Sequence, residues 1–287
     1  MSFLERDDYR IAYRCTGSPE GPAVIFCHSL GLDAASWDVQ AAELADRYRI
    51  VQPDMRGHGR SDAPPGPYDV EGLALDVVAL ADRLGVDRFH LVGLSIGGMI
   101  ALWLAVHRPD RLRSAAFCNT AAKLGGPELW DARIAAVRAG GMASIADQVV
   151  PRFFSGRFGS RKPESAGEAC PTRPDPEDRE PEIFSRARAT LLRTRPEGYA
   201  ACCAALRDAD LRGEVDKIRL PSLVVGASED VATPPETARW LHARIPGSEL
   251  VVLEGAGHVS NLERPAAFGR ALARHLDGSA SPAVLKD

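Results

Sequence analysis

The first third of the chain alternates short β-rich apolar runs with longer stretches of helical period, the pattern of a parallel sheet with crossover helices. Ala23 to Cys27 and Arg49 to Gln52 predict strands. Val70 to Leu84 carries apolar side chains at Leu73, Val77, Leu80, Ala81 and Leu84, a one-faced helix that Gly85 stops. Phe89 to Leu94 predicts a buried strand, Gly97 to Ala105 a helix directly after it, and Leu112 to Cys118 another apolar strand. The same signal returns late. Ser222 to Gly226 and Glu249 to Leu253 predict strands around a helix from Pro235 to Ala243, followed by a last helix from Pro265 to Leu276. Both ends therefore predict one α/β core, residues 1–120 and 211–287, with a mostly parallel central sheet flanked by helices.

Residues 121–210 carry helical patterns and no convincing strand, which predicts a helical cap, or lid, inserted over the sheet. Within it, Gly156 to Pro181 is rich in Pro, Gly, Arg and acidic residues with almost no large apolar side chain, and predicts a flexible loop. Gly278 to Asp287 predicts a frayed tail.

Composition narrows the function classes. A net charge of −4 with scattered Lys and Arg offers no basic surface to nucleic acid. Met1 to Arg10 is charged where a signal peptide needs an apolar stretch, and no apolar run reaches membrane-spanning length. The expectation is a cytoplasmic protein with no membrane partner, its oligomeric state left open. Cys15, Cys27, Cys118, Cys170, Cys202 and Cys203 lack CxxC spacing, so they predict free thiols rather than a zinc site or disulfide framework. Cys27 and Cys118 fall in strand-like runs, where a thiol is a buried packing group sooner than a nucleophile.

The candidate chemistry starts at Gly93-Leu94-Ser95-Ile96-Gly97, a G-x-S-x-G sequence between a predicted strand and a predicted helix. A sharp strand-to-helix turn there strains the serine backbone, and the flanking small residues allow close approach. Ser95 would stand at a helix N-terminus, where the Ile96 amide and the helix dipole favour developing negative charge. The alternative is a plain glycine-rich turn. A dinucleotide fingerprint is set aside, because His28-Ser29-Leu30-Gly31 after the early strand lacks G-x-G-x-x-G spacing.

A serine hydroxyl needs a base. Of seven histidines, His258 in Gly255-Ala256-Gly257-His258 follows a late strand, at the same sheet edge as the elbow. His107, His242 and His275 fall in helical patterns and are expected at the surface; His90 begins a strand. His28 and His58 lie in sheet-edge loops but precede Ser95, against the chain order serine, acid, histidine. Asp230 in Ala227-Ser228-Glu229-Asp230, one strand before His258, is placed to orient the imidazole, with Glu229 as its rival. The loop after the early strand should add a second oxyanion donor, and the Leu30 amide is the candidate. Asp54 to Asp62 packs charges and glycines into one loop and reads as a structural network.

Taken together, His28 to Gly31, Asp54 to Asp62, the Ser95 elbow and the Gly257-His258 loop resemble the α/β-hydrolase superfamily over nearly the whole chain. Pro64 to Tyr68, Gly93 to Met99, Asn119-Thr120, Trp130 to Ile134 and Arg207 to Leu211 are most similar to 3-oxoadipate enol-lactonases. The resemblance implies hydrolysis of an unsaturated five-membered lactone bearing a carboxylate, in aromatic catabolism through the β-ketoadipate route, with no metal or organic cofactor. It implies attack by Ser95, an oxyanion held by the Ile96 and Leu30 amides, and proton transfer by His258. Trp130 and Arg133 become candidate substrate contacts, against the alternatives of cap core and solvated helix charge. Gly156 to Pro181 looks like an insertion relative to the compact lid of these lactonases. An esterase, a carbon–carbon bond hydrolase, a tailoring enzyme of secondary metabolism or a non-hydrolytic ligand-binding protein would fit the same fold.

Overall fold

Every residue of Ala23–Cys27 (β3), Phe89–Leu94 (β5) and Ser222–Ala227 (β7) is buried, as strands covered on both faces require. With Arg49–Pro53 (β4), Leu112–Cys118 (β6) and Glu249–Leu253 (β8) they form the parallel part of one sheet in a computed structural model that describes residues 1–156 and 180–280. The sheet is eight-stranded, in the order β1-β2-β4-β3-β5-β6-β7-β8. Ser2–Glu5 (β1) and Arg10–Gly17 (β2) pair antiparallel onto the β4 edge, and no strand was expected there. In β2 only Ile11, Ala12 and Tyr13 are buried, too short a stretch to carry a period-two signal.

Val70–Arg83 (α2) and Ile96–His107 (α3) lie near their predicted bounds, while Asp38–Leu44 (α1) is a short helix that was not predicted. Asp69 caps α2 by accepting the Gly72 amide at 2.6 Å. Between β6 and β7 run Pro127–Gly140 (α4), Ala143–Val149 (α5), Glu180–Arg193 (α6) and Pro196–Asp208 (α7), and no strand occurs there among the described residues. Pro235–Arg244 (α8), the short Ser260–Glu263 (α9) and Pro265–Ala280 (α10) complete the chain.

Two expectations need correction. His275, expected at the surface, is buried on the face of α10 that packs against the sheet. Gly278 to Ala280, expected in a frayed tail, continue α10, while 281–287 lie outside the described residues. Of the expected flexible loop Gly156 to Pro181, residues 157–179, Cys170 among them, also lie outside the described residues. No helix among the described residues is long and apolar enough to cross a membrane.

The Asp54 to Asp62 loop is the structural network its charges suggested. Asp54 accepts the Ala34 and Arg60 amides, each at 2.9 Å, Arg56 pairs with Asp76 at 2.7 Å, and Asp62 pairs with Arg10 at 3.0 Å. This loop seats α7. A Cβ on Gly198 would lie 2.3 Å from the Gly57 Cα, so the two backbones meet only because both residues are glycine.

Candidate active site

Ser95 joins β5 to α3 with φ 61° and ψ −116°, a left-handed conformation that costs a non-glycine residue about 1–3 kcal/mol. The surroundings hold it there. Its amide donates to Cys118 O at 2.9 Å, and its carbonyl accepts Thr120 Oγ1 at 2.7 Å and the Met99 amide at 3.0 Å. The turn closes so tightly that a Cβ at Gly93 would lie 2.0 Å from Gly97 O, and one at Gly97 would lie 2.3 Å from Cys27 O. Ile96 is the first residue of α3, so its amide has no acceptor within the helix.

The loop after β8 carries His258, which is buried. Its Nδ1 lies 2.9 Å from Asp230 Oδ2 and 3.2 Å from Oδ1. A carboxylate can only accept, so Nδ1 carries the proton and Nε2 is left as the acceptor nitrogen. Asp230 sits in the loop after β7 and gathers further donors. The Ala232 and Thr233 amides reach Oδ1 at 2.8 and 2.9 Å, while Thr233 Oγ1 and Asn119 Nδ2 reach Oδ2 at 2.6 and 2.9 Å. Burial opposes the ionised carboxyl, but His258 and the Thr233 bonds outweigh it and hold Asp230 below the usual carboxylate range. Asn119 is fixed in turn by Ser260 Oγ, which donates to its Oδ1 at 2.6 Å.

Glu263 ties the histidine loop to the segment after α5. It accepts the Gly257 amide at 2.7 Å and the Ser155 hydroxyl at 2.6 Å, and the Val259 amide donates to Phe153 O at 2.9 Å. The Phe153 ring stacks on His258 with centroids 6.5 Å apart.

The rival residues are committed elsewhere. His28 Nε2 accepts the Met55 amide at 3.0 Å and its Nδ1 meets Ser29 O; His58 Nε2 accepts the Gly31 amide at 3.0 Å. Burial lowers both histidines, His58 to about 3, so each is a neutral strut between backbone segments. Glu229 is exposed and accepts the Gly156 amide at 3.2 Å. Cys27 is fully buried and its thiol is pushed up to about 12, far from a thiolate nucleophile. The five cysteines among the described residues are all free.

Ser95, His258, Leu30, Trp130 and Arg133 line one cavity of about 90 Å³, the room of about three waters in the liquid. Asp230 stands behind its wall. Ser29, Leu30, Ala232 and Thr233, from the loops after β3 and β7, line it together with Leu124, Trp130, Arg133, Phe153 and Tyr199, all from the segment between β6 and β7. Trp130 Nε1 donates to Leu124 O at 2.5 Å, which fixes its ring, and the Arg133 guanidinium lies 5.3 Å over that ring. The lining holds two cations, Arg133 and Arg152, and no Asp or Glu.

An alpha/beta hydrolase fold family model matches residues 22–265. The chain belongs to this family. This hydrolase is 37% identical over 269 residues to 3-oxoadipate enol-lactonase 2 of Acinetobacter baylyi, covering 94% of each chain. It is 31% identical to 3-oxoadipate enol-lactonase 1 of the same organism, covering 93% of each. Among solved structures, the enol-lactonase from Burkholderia xenovorans LB400 superposes with a TM-score of 0.87 at 36% identity, over 96% of this chain and 100% of that one. Fold and relatives together make this an enzyme of the esterase and lactonase type.

Asn119, Thr233, Ser260, Glu263 and Tyr199 took no site role in the sequence reading. Thr233 had a local signal, since a hydroxyl three residues after an Asp is placed to cap that carboxylate's turn. Asn119 stood in a matching motif without a role attached. Ser260, Glu263 and Tyr199 act through contacts that only the fold creates.

Proposed function

We propose that this hydrolase opens a small carboxylate-bearing enol-lactone of the 3-oxoadipate enol-lactone kind through an acyl-enzyme, with Ser95, His258 and Asp230 as its triad. The observation that carries the reading is the Asp230–His258 pair, which leaves the second imidazole nitrogen for a cavity that Ser95 also lines.

In the reaction, His258 Nε2 takes the Ser95 proton as Oγ attacks the lactone carbonyl. The tetrahedral oxyanion is held by the Ile96 and Leu30 amides. Collapse breaks the ring C–O bond, and His258 returns its proton to the departing enolate, which stays tethered to the acyl group as an enol and tautomerises to the ketone. His258 then deprotonates a water that attacks the acyl ester and frees Ser95. The substrate carboxylate lies against Arg133, with the Trp130 ring flanking it, which the acid-free lining favours. Residues 121–210 act as the cap that closes this cavity over the α/β core of 1–120 and 211–287.

The test compares turnover of 3-oxoadipate enol-lactone and p-nitrophenyl acetate by the wild type and Ser95→Ala. Fast lactone turnover, with at least about a thousandfold loss in the variant, supports the reading. Turnover of the simple ester alone removes the lactone assignment, and turnover of neither removes the hydrolytic mechanism.

A further inference from the structure

Asn119 follows β6 with φ 44°, a positive value that asparagine tolerates better than most side chains. It is buried, and its backbone amide donates to Val225 O on β7 at 2.8 Å. Its carboxamide has one possible orientation. Asp230 Oδ2 and the Gly257 carbonyl, 2.9 and 3.4 Å away, can only accept, so the amide nitrogen faces them. Oδ1 takes the Ser260 hydroxyl at 2.6 Å, which locks that orientation. One side chain thus joins the acid loop after β7 to the histidine loop after β8. Its two neighbours hold the serine: Cys118 O accepts the Ser95 amide, and Thr120 Oγ1 donates to the Ser95 carbonyl. The other donors to Asp230 belong to its own turn, namely the Ala232 and Thr233 amides and the Thr233 hydroxyl. Among the described residues, Asn119 and His258 are the side chains from other elements that bond this carboxylate.

We infer that Asn119 is a positioning residue for hydrolysis: locked by Ser260, its carboxamide holds Asp230 Oδ2 on His258 Nδ1 and so fixes the imidazole for proton transfer. The inference rests on the proposed triad of Ser95, His258 and Asp230. Asn119 is absent from the lining of the cavity, so it acts through Asp230 and leaves substrate binding alone. Proton transfer is sensitive to alignment, and a misplacement of about 1 Å can cost about a hundredfold in rate.

The experiment measures kcat and KM for p-nitrophenyl acetate in Asn119→Gly, Ser260→Ala, the double variant and Asp230→Asn, with the Tm of each. Glycine keeps the positive φ without strain, so Asn119→Gly removes the carboxamide and spares the backbone. The expected kcat loss is about ten- to a hundredfold in Asn119→Gly, smaller in Ser260→Ala and larger in Asp230→Asn, with KM unchanged in the first two. Ser260→Ala should have no further effect on kcat in the Asn119→Gly background, because Ser260 acts through the carboxamide. The double variant leaves no unpaired Ser260 hydroxyl and should melt no lower than Asn119→Gly. A kcat in Asn119→Gly within about twofold of wild type, while Asp230→Asn has lost turnover, overturns the inference and leaves the triad standing. Additive losses in the double variant, a kcat that recovers with its Tm, or a KM that rises in step also overturn it, since each marks a merely structural role. Full turnover in Asp230→Asn removes the triad reading, and the inference with it.

Discussion

Asp230→Asn changes a single atom's chemistry and separates charge from shape. Oδ1 accepts two backbone amides, from Ala232 and Thr233, which cannot reverse their polarity. The new NH₂ must therefore replace Oδ2, where it faces His258 Nδ1, the Asn119 amide nitrogen and the Thr233 hydroxyl. The hydroxyl can rotate to accept. His258 can accept only by giving up its Nδ1 proton, which moves to Nε2 and occupies the nitrogen that takes the proton of Ser95 in the proposed mechanism. A wrong-tautomer substitution of this kind lowers kcat about 10⁴-fold in a serine triad, or about 5.5 kcal/mol at 1.36 kcal/mol per decade. The Asn119 donor, facing another donor, costs a further 1–3 kcal/mol or so of stability. The assay is kcat and KM for p-nitrophenyl acetate from pH 6 to 9, with thermal unfolding alongside. An Asp230→Asn protein that keeps more than about a tenth of wild-type kcat would refute the tautomer argument.

Ser95→Gly should abolish turnover and yet raise stability by about 1 kcal/mol, because glycine adopts the φ of 61° without strain; a lower Tm than wild type would contradict this. Gly198→Ala drives a Cβ to 2.3 Å from the Gly57 Cα and should cost more than about 2 kcal/mol in urea unfolding while raising KM, since Tyr199 moves with it; an unchanged protein would show that the two loops are not in fixed contact. Burial holds His58 near 3 and His90 and His275 near 4, against about 6.5 in an unfolded chain. Between those values the unfolded chain binds protons that the folded one excludes, so stability falls as the pH drops from about 6.5 towards 4. Urea midpoints should decline over that window by the equivalent of several kcal/mol, and a flat profile would refute the burial argument.

The central strands and the places of Ser95, Asp230 and His258 were legible because each has a local cause. β3, β5 and β7 are uninterrupted apolar runs, and buried parallel strands leave little other reading. Ser95 is marked by the glycines that its turn requires, and Asp230 and His258 by their place at the ends of successive strands. The edge strands β1 and β2 were missed because only one short stretch of each faces the core. His275 was misplaced because helical period alone does not say which face of α10 meets the sheet. Asn119 and Glu263 acquire partners across more than a hundred residues, and no spacing along the chain encodes that.

The most direct measurement is the position of the acyl group. The protein is mixed with p-nitrophenyl acetate, quenched in acid within the first turnovers, digested and read by peptide mass spectrometry. The account predicts one added acetyl group on Ser95, absent in Ser95→Ala, with a burst of p-nitrophenol of about one equivalent. Acetyl on another side chain, or hydrolysis that persists undiminished in Ser95→Ala, would contradict it.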